Sequence, residues 1–156
     1  QIISRTQIFP SPEQTALPLR REAHQRTMAQ SAFPLPGFAA GARILLFGYR
    51  LEIDNRIISY CTDTGYCKNS EELSRNADLL ISECAFPAGH VSDIWPHMNP
   101  QLAAKLAVAA KAKKLALTHF DAALYTTIAK REKAQAQARK IFPESFVAYD
   151  GLSITI

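Results

Sequence analysis

Asp63, Glu83 and His119 each follow or end a short run of apolar and β-branched residues, where a strand gives way to a loop. The aspartate stands in Cys61-Thr62-Asp63-Thr64-Gly65, the glutamate ends the run 78–83, and the histidine follows the run 115–118. Strand ends hold side chains rigidly at the rim of a sheet, where loops build sites. A carboxylate and an imidazole meeting at one rim are suitable ligands for zinc or manganese. A second carboxylate nearby can orient or deprotonate a bound water. Each residue also has a plainer reading: Asp63 as an Asx-turn residue before Gly65, and His119 as a strand-end histidine bonded to backbone.

The elements that must position these residues are legible from residue 43 onward. Strands are expected at 43–47 and 49–53, then a tight turn at Asp54-Asn55 and a buried strand at 56–61. Asn69 or Ser70 caps a short helix to Asn76, with Glu71 and Glu72 at its positive end, and 78–83 returns as a strand. Asn99-Pro100 starts a helix whose stripe of Leu102, Leu106 and Ala109-Ala110 runs to about Lys113. A strand at 115–118 and a helix at 127–141 follow, and 145–149 with 152–156 is expected to close the chain as a hairpin through Asp150-Gly151. The implied class is α/β or α+β, with helices covering one face of a mixed sheet. Residues 1–42, broken by Pro10, Pro12, Pro18, Pro34 and Pro36, read as an irregular arm with one helical candidate at 20–30.

Composition narrows the class of protein. With 156 residues, 47% of them hydrophobic and 21% charged, the chain can bury one core. It shows neither an apolar run of membrane-spanning length nor a basic-then-apolar leader, so a cytoplasmic protein is expected. Cys61, Cys67 and Cys84 form no C-x-x-C pair and read as reduced packing residues. A net charge of +4 favours an anionic partner such as RNA, although the basic residues of the last helix, Lys130, Arg131, Lys133, Arg139 and Lys140, have the spacing of a solvated face. His24 stands alone in a polar segment and reads as an exposed helix residue.

Taken in order, these segments resemble a known family. The run Ile57-Ile58-Ser59-Tyr60-Cys61-Thr62-Asp63-Thr64-Gly65 resembles the metallo-β-lactamase segment whose aspartate bridges two metals. Ala77-Asp78-Leu79-Leu80-Ile81-Ser82-Glu83-Cys84-Ala85-Phe86, His97-Met98-Asn99-Pro100 and Leu115-Ala116-Leu117-Thr118-His119-Phe120 are similar to segments of the ribonuclease Z branch, as is the chain end from Phe146 to Leu152. The resemblance covers roughly residues 47–156. It implies the C-terminal half (43–156) of a metallo-β-lactamase-like αββα sandwich, with 1–42 an arm or a remnant of the other half. It further implies that Asp63 bridges two divalent metals, zinc or else manganese or iron, and that His119 ligates the second. Glu83 and His97 would form the pair that delivers a proton to the leaving group. His90 also follows a glycine and competes with His97 for that place; His97 is preferred because a helix begins right after it. Trp95, Tyr66 and Phe120 are expected near the site, with Trp95 as a wall.

The departures are equally specific. The family's H-x-H-x-D-H motif is absent, and so is the histidine expected shortly before Gly48-Tyr49-Arg50. Asp63 and His119 then supply two ligands where a zinc site wants three or four per metal. The expectation is that an N-terminal portion lies outside this sequence, and that the sheet face it would cover is met otherwise by an intimate homodimer. The function implied is metal-dependent hydrolysis of a phosphodiester, with tRNA 3′-end processing the specific form. The rivals are a hydrolase of small esters or lactones on the same fold, and a metal-free oligomerisation or scaffold relative.

Overall fold

The computed structural model describes residues 24–34, 43–92 and 96–156. They form a six-stranded sheet whose spatial order follows the chain, β1 (His24–Pro34), β2 (Arg43–Ile53), β3 (Arg56–Cys61), β4 (Leu79–Glu83), β5 (Leu115–Thr118) and β6 (Ser145–Val147). The first three strands are antiparallel and the last four run parallel, so the sheet is mixed. Asp54 and Asn55, both in left-handed backbone (φ 51° and 60°), make the two-residue turn between β2 and β3. Such turns match the natural twist of paired strands, and aspartate and asparagine tolerate that conformation best after glycine.

Each parallel step is made through a helix: α1 (Lys68–Ser74), α2 (Pro100–Ala109) and α3 (Ile128–Arg139). Crossovers of this kind are right-handed, and successive right-handed crossovers to the next strand over lay their helices on one face. On that face Ser59, Leu80, Leu115 and Ser145 share one row across four strands, and all are buried. Alanines let the helices lie close: Ala103, Ala104 and Ala107 of α2 and Ala134 and Ala138 of α3 are buried around Leu73, Leu80, Leu106, Leu115 and Leu117. Asn99 caps α2, its side chain accepting from the Leu102 amide at 3.0 Å, and Pro100 occupies the first turn where no amide partner is lost. On the other face, Phe47, Tyr49 and Tyr60 remain 46%, 39% and 36% exposed.

Several expectations are corrected. Residues 20–23 of the helical candidate lie outside the described residues, and from His24 onward it gives way to β1, paired with β2 on both sides of a bulge between Ala29 and Ser31, so His24 is a strand residue. The polar run Gln25-Arg26-Thr27 suits an outer strand, and pairing with β2 overrides the weak helical signal. The two strands expected at 43–47 and 49–53 are one, because Gly48 pairs with Met28 without interrupting the ladder. Helix α1 begins at Lys68 after Cys67 rather than at an Asn69 or Ser70 cap. The closing hairpin does not form: β6 has three residues and 152–156 is not strand. None of the three cysteines forms a disulfide, and Cys61 and Cys84 are buried.

One acidic group ties the parallel strands to a common level. Asp78, just before β4, accepts from the Ile57 amide of β3 (2.8 Å), from Lys113 Nζ (2.7 Å) just before β5, and from Arg56 (3.3 Å). The Lys113 ammonium and the Ile57 amide hold its carboxyl down at about 2, below the usual carboxylate range. A carboxyl depressed on folding stabilises the fold above its unfolded pKa of about 4, and that contribution fades as pH falls through the folded value. Denaturant melts between pH 5 and pH 2 should therefore show a steeper loss of stability in the wild type than in Asp78→Asn. Parallel curves would mean that Asp78 does not carry this dependence.

Candidate metal centre

Because β3, β4 and β5 are parallel, their C-terminal ends lie along the same rim of the sheet. Asp63 comes two residues after β3, Glu83 ends β4, and His119 comes one residue after β5. The fourth group arrives by a loop: His97 lies just before the Asn99 cap of α2. A second bond steadies that loop, from Asn99 Nδ2 to the His90 carbonyl at 3.0 Å. Gly65 lets the chain pass closely at its near side, since a Cβ there would stand 3.0 Å from Pro96 Cβ.

At this rim Asp63 Oδ1 and His119 Nε2 are 2.7 Å apart, with both side chains nearly half exposed. His97 Nδ1 and Glu83 Oε1 are also 2.7 Å apart, but here the carboxylate has no exposed surface and the imidazole only 13%. The His97 and His119 rings stand 6.1 Å apart between centroids. Asp63, His97 and His119 each offer one ligand atom, and the three atoms lie within 4.8 Å of one another. One carboxylate and two imidazoles are a donor set that zinc, manganese or iron accepts, so the residues present fit a divalent metal.

The backbone at the two outer donors is unusual. Asp63 and His119 both have φ of 51°, in the left-handed region. The other non-glycine residues in this region have turn or helix-end explanations: Asp54 and Asn55 make the hairpin, and Asn76 and Lys111 lie just past α1 and α2. Left-handed backbone costs a non-glycine residue about 1–3 kcal/mol and gathers at functional sites. Asp63 and His119, the two residues in this conformation at the rim, are the two whose side chains meet there.

Glu83 is set differently. Burial pushes its carboxyl above the ordinary range, while His97 and the Ala85 amide (3.1 Å from Oε2) pull it back down. Phe86 lies edge-on to His97 at 5.3 Å, and His90 meets Phe86 in a tilted contact at 4.3 Å. His90 is exposed and stays outside the group of donors.

The expected substrate-side residues fall out unevenly. Trp95 lies outside the described residues. Tyr66, partly exposed, donates to Glu71 and lines a cavity of about 200 Å³ together with Gly65, Cys67, Pro96 and His97. Phe120 packs against the core, with Tyr125 edge-on to it at 4.8 Å and the Arg131 guanidinium 5.5 Å from its ring centre. Arg131, expected on a solvated face, is only partly exposed. Its phase gives a signal that points inward, because Arg131, Ala134 and Ala138 share one stripe of α3 and the two alanines are buried.

The fold has counterparts among known proteins. The family described as a beta-lactamase superfamily domain matches residues 6–120. Ribonuclease Z of Acaryochloris marina (strain MBIC 11017) is 39% identical over 104 residues, which cover 65% of this chain and 33% of that protein. Ribonuclease Z of Microcystis aeruginosa (strain NIES-843 / IAM M-2473) is 38% identical over the same shares. The metallo-beta-lactamase fold protein YhfI from Bacillus subtilis superposes with a TM-score of 0.67 at 24% identity, over 83% of this chain and 48% of that one. Human tRNase Z, short form, does so with a TM-score of 0.55 at 28% identity, over 72% and 39%. The chain thus spans about a third of the length of these curated relatives. A domain match over most of the chain, on a sheet and helices that superpose on a metallo-β-lactamase fold, shows that this chain belongs to the β-lactamase superfamily, with a ribonuclease Z-like sequence.

Proposed function

We propose that the protein is a metal-dependent hydrolase of phosphodiesters, acting on the 3′ ends of tRNA as its resemblance to the ribonuclease Z branch implies. The observation that carries this reading is the convergence of Asp63, His97 and His119 within 4.8 Å, backed by the buried Glu83. Asp63 and His119 would hold the metal, Asp63 bridging a pair of ions. A divalent metal held there would supply Lewis-acid polarisation of a phosphodiester and a more acidic water.

His97 is the proton carrier in this reading. Glu83, shielded from water, fixes the ring through Nδ1, which leaves the other nitrogen to meet a departing oxygen. A second reading follows from the same contact. Metal-bound histidines commonly give their other nitrogen to a carboxylate, so the Glu83 contact and the proximity of His97 to Asp63 and His119 also suit a third ligand. The ester or lactone rival keeps the same rim and differs only in what the surrounding cavities admit. We place the protein in the cytoplasm, as a homodimer. Among the described residues no helix is long and apolar enough to cross a membrane.

Asp63→Ala is expected to lower bound metal and cleavage of a precursor tRNA together, measured by elemental analysis and by release of the 3′ trailer. A variant that keeps full metal and full cleavage removes Asp63 from the centre.

For His97→Ala the expected result is a fall in turnover of about 10²–10⁴ with metal retained, the range for losing a general acid. Metal lost in step with activity selects the ligand reading instead. The same substitution strands a buried carboxylate and should lower stability by about 3–5 kcal/mol in urea melts. Adding Glu83→Gln should restore part of that loss, since the two residues act as a coupled pair.

A further inference from the structure

Beside His119 lies a cavity of about 430 Å³, walled by Thr118, His119, Phe120, Ile128, Arg131, Ala148, Tyr149 and Asp150. Its volume suits a small ligand or one nucleotide of a longer one. Its cation is Arg131, laid over the Phe120 ring. The Nε of Arg131 is buried and meets no acceptor, and among the described residues no carboxylate pairs with the guanidinium. A guanidinium stacked on an aromatic ring, without an internal salt bridge, has its fork free for an external anion. Asp150 lines the same cavity, so net positive charge alone does not make the site; recognition would fall to the paired donors of the fork. Tyr149, 65% exposed, and Ile128, 75% exposed, offer the apolar surface on which a base or sugar could rest.

We infer that Arg131 is a substrate-specificity residue that binds a phosphate oxygen of a nucleotide seated in the Phe120–Tyr149 cavity next to His119. This rests on the phosphodiesterase reading and deepens it: the cavity selects phosphate-bearing substrates over neutral esters. A guanidinium fork matches two phosphate oxygens at once, whereas a neutral ester offers it only weak acceptors.

The test uses the protein as isolated and the variants Arg131→Met and Arg131→Lys, each checked for folding by thermal melting and for metal content. Calorimetric binding of 5′-AMP, with adenosine as the phosphate-free control, should weaken by about tenfold or more in Arg131→Met and recover only in part in Arg131→Lys, which keeps the charge and loses the fork. The kcat/KM for bis(p-nitrophenyl) phosphate should fall alongside, while hydrolysis of p-nitrophenyl acetate and bound metal stay level. AMP affinity that is absent or indifferent to Arg131, or an equal loss on both substrates, overturns the inference. Arg131-dependent AMP binding without any phosphodiester cleavage would instead remove the proposed function and leave the phosphate site standing.

Discussion

The buried pairing of Glu83 with His97 is the constraint around which the rim is arranged. A carboxylate stripped of water is costly unless a donor meets it, and here the donor must come from outside its own strand. The Ala85 amide satisfies one oxygen locally, and His97 satisfies the other across a separation of fourteen residues. The loop that delivers His97 is therefore held in place by the energetics of Glu83. The Asn99 cap and the close passage of Pro96 over Gly65 then fix its two sides.

The second requirement is level. Three side chains from three strands meet only if the strands are in the right parallel register, and a slip by one residue would turn each to the opposite face. Asp78 supplies a clamp at the opposite end of the same strands, bonding β3 through Ile57 and the approach to β5 through Lys113. A polar clamp at the lower ends and a polar cluster at the upper ends enclose a core of leucine and alanine that has no directional preference of its own. Hydrophobic burial stabilises the sheet and helices, and the two polar clusters specify their alignment.

Much of this was legible because the signals are local. Ile57-Ile58 before Cys61, the Asp54-Asn55 turn and the Asn99-Pro100 start each carry their own backbone preference, and the corresponding elements stand where those preferences put them. What the sequence hid depends on partners distant in the chain. β1 is a strand because β2 offers it a ladder, which polar residues such as Gln25 and Arg26 do not announce. The closing hairpin was expected from Asp150-Gly151, yet a turn signal does not supply a partner strand, and Leu152 only closes back to Tyr149. At the site, Asp63, Glu83 and His119 were visible as strand-end residues. Their convergence with His97 came from the family resemblance, since spacing alone left Asp63 and His119 with plainer alternatives. Arg131 was concealed by its basic neighbours on α3, Lys130, Lys133 and Arg139, all three exposed.

The left-handed backbone at Asp63 and His119 has a consequence for how this chain can change over time. Asparagine enters that conformation more readily than most other non-glycine residues, so an exchange of either residue for asparagine leaves the strand ends and the core beneath them undisturbed. Folding and chemistry are thus separable at the two positions: a lineage could lose its reactivity in one step while the scaffold persists. Bulky β-branched replacements would disturb both at once. Descendants of this fold that have become silent should therefore be recognised by small polar residues at these two corners, on a framework that is otherwise intact.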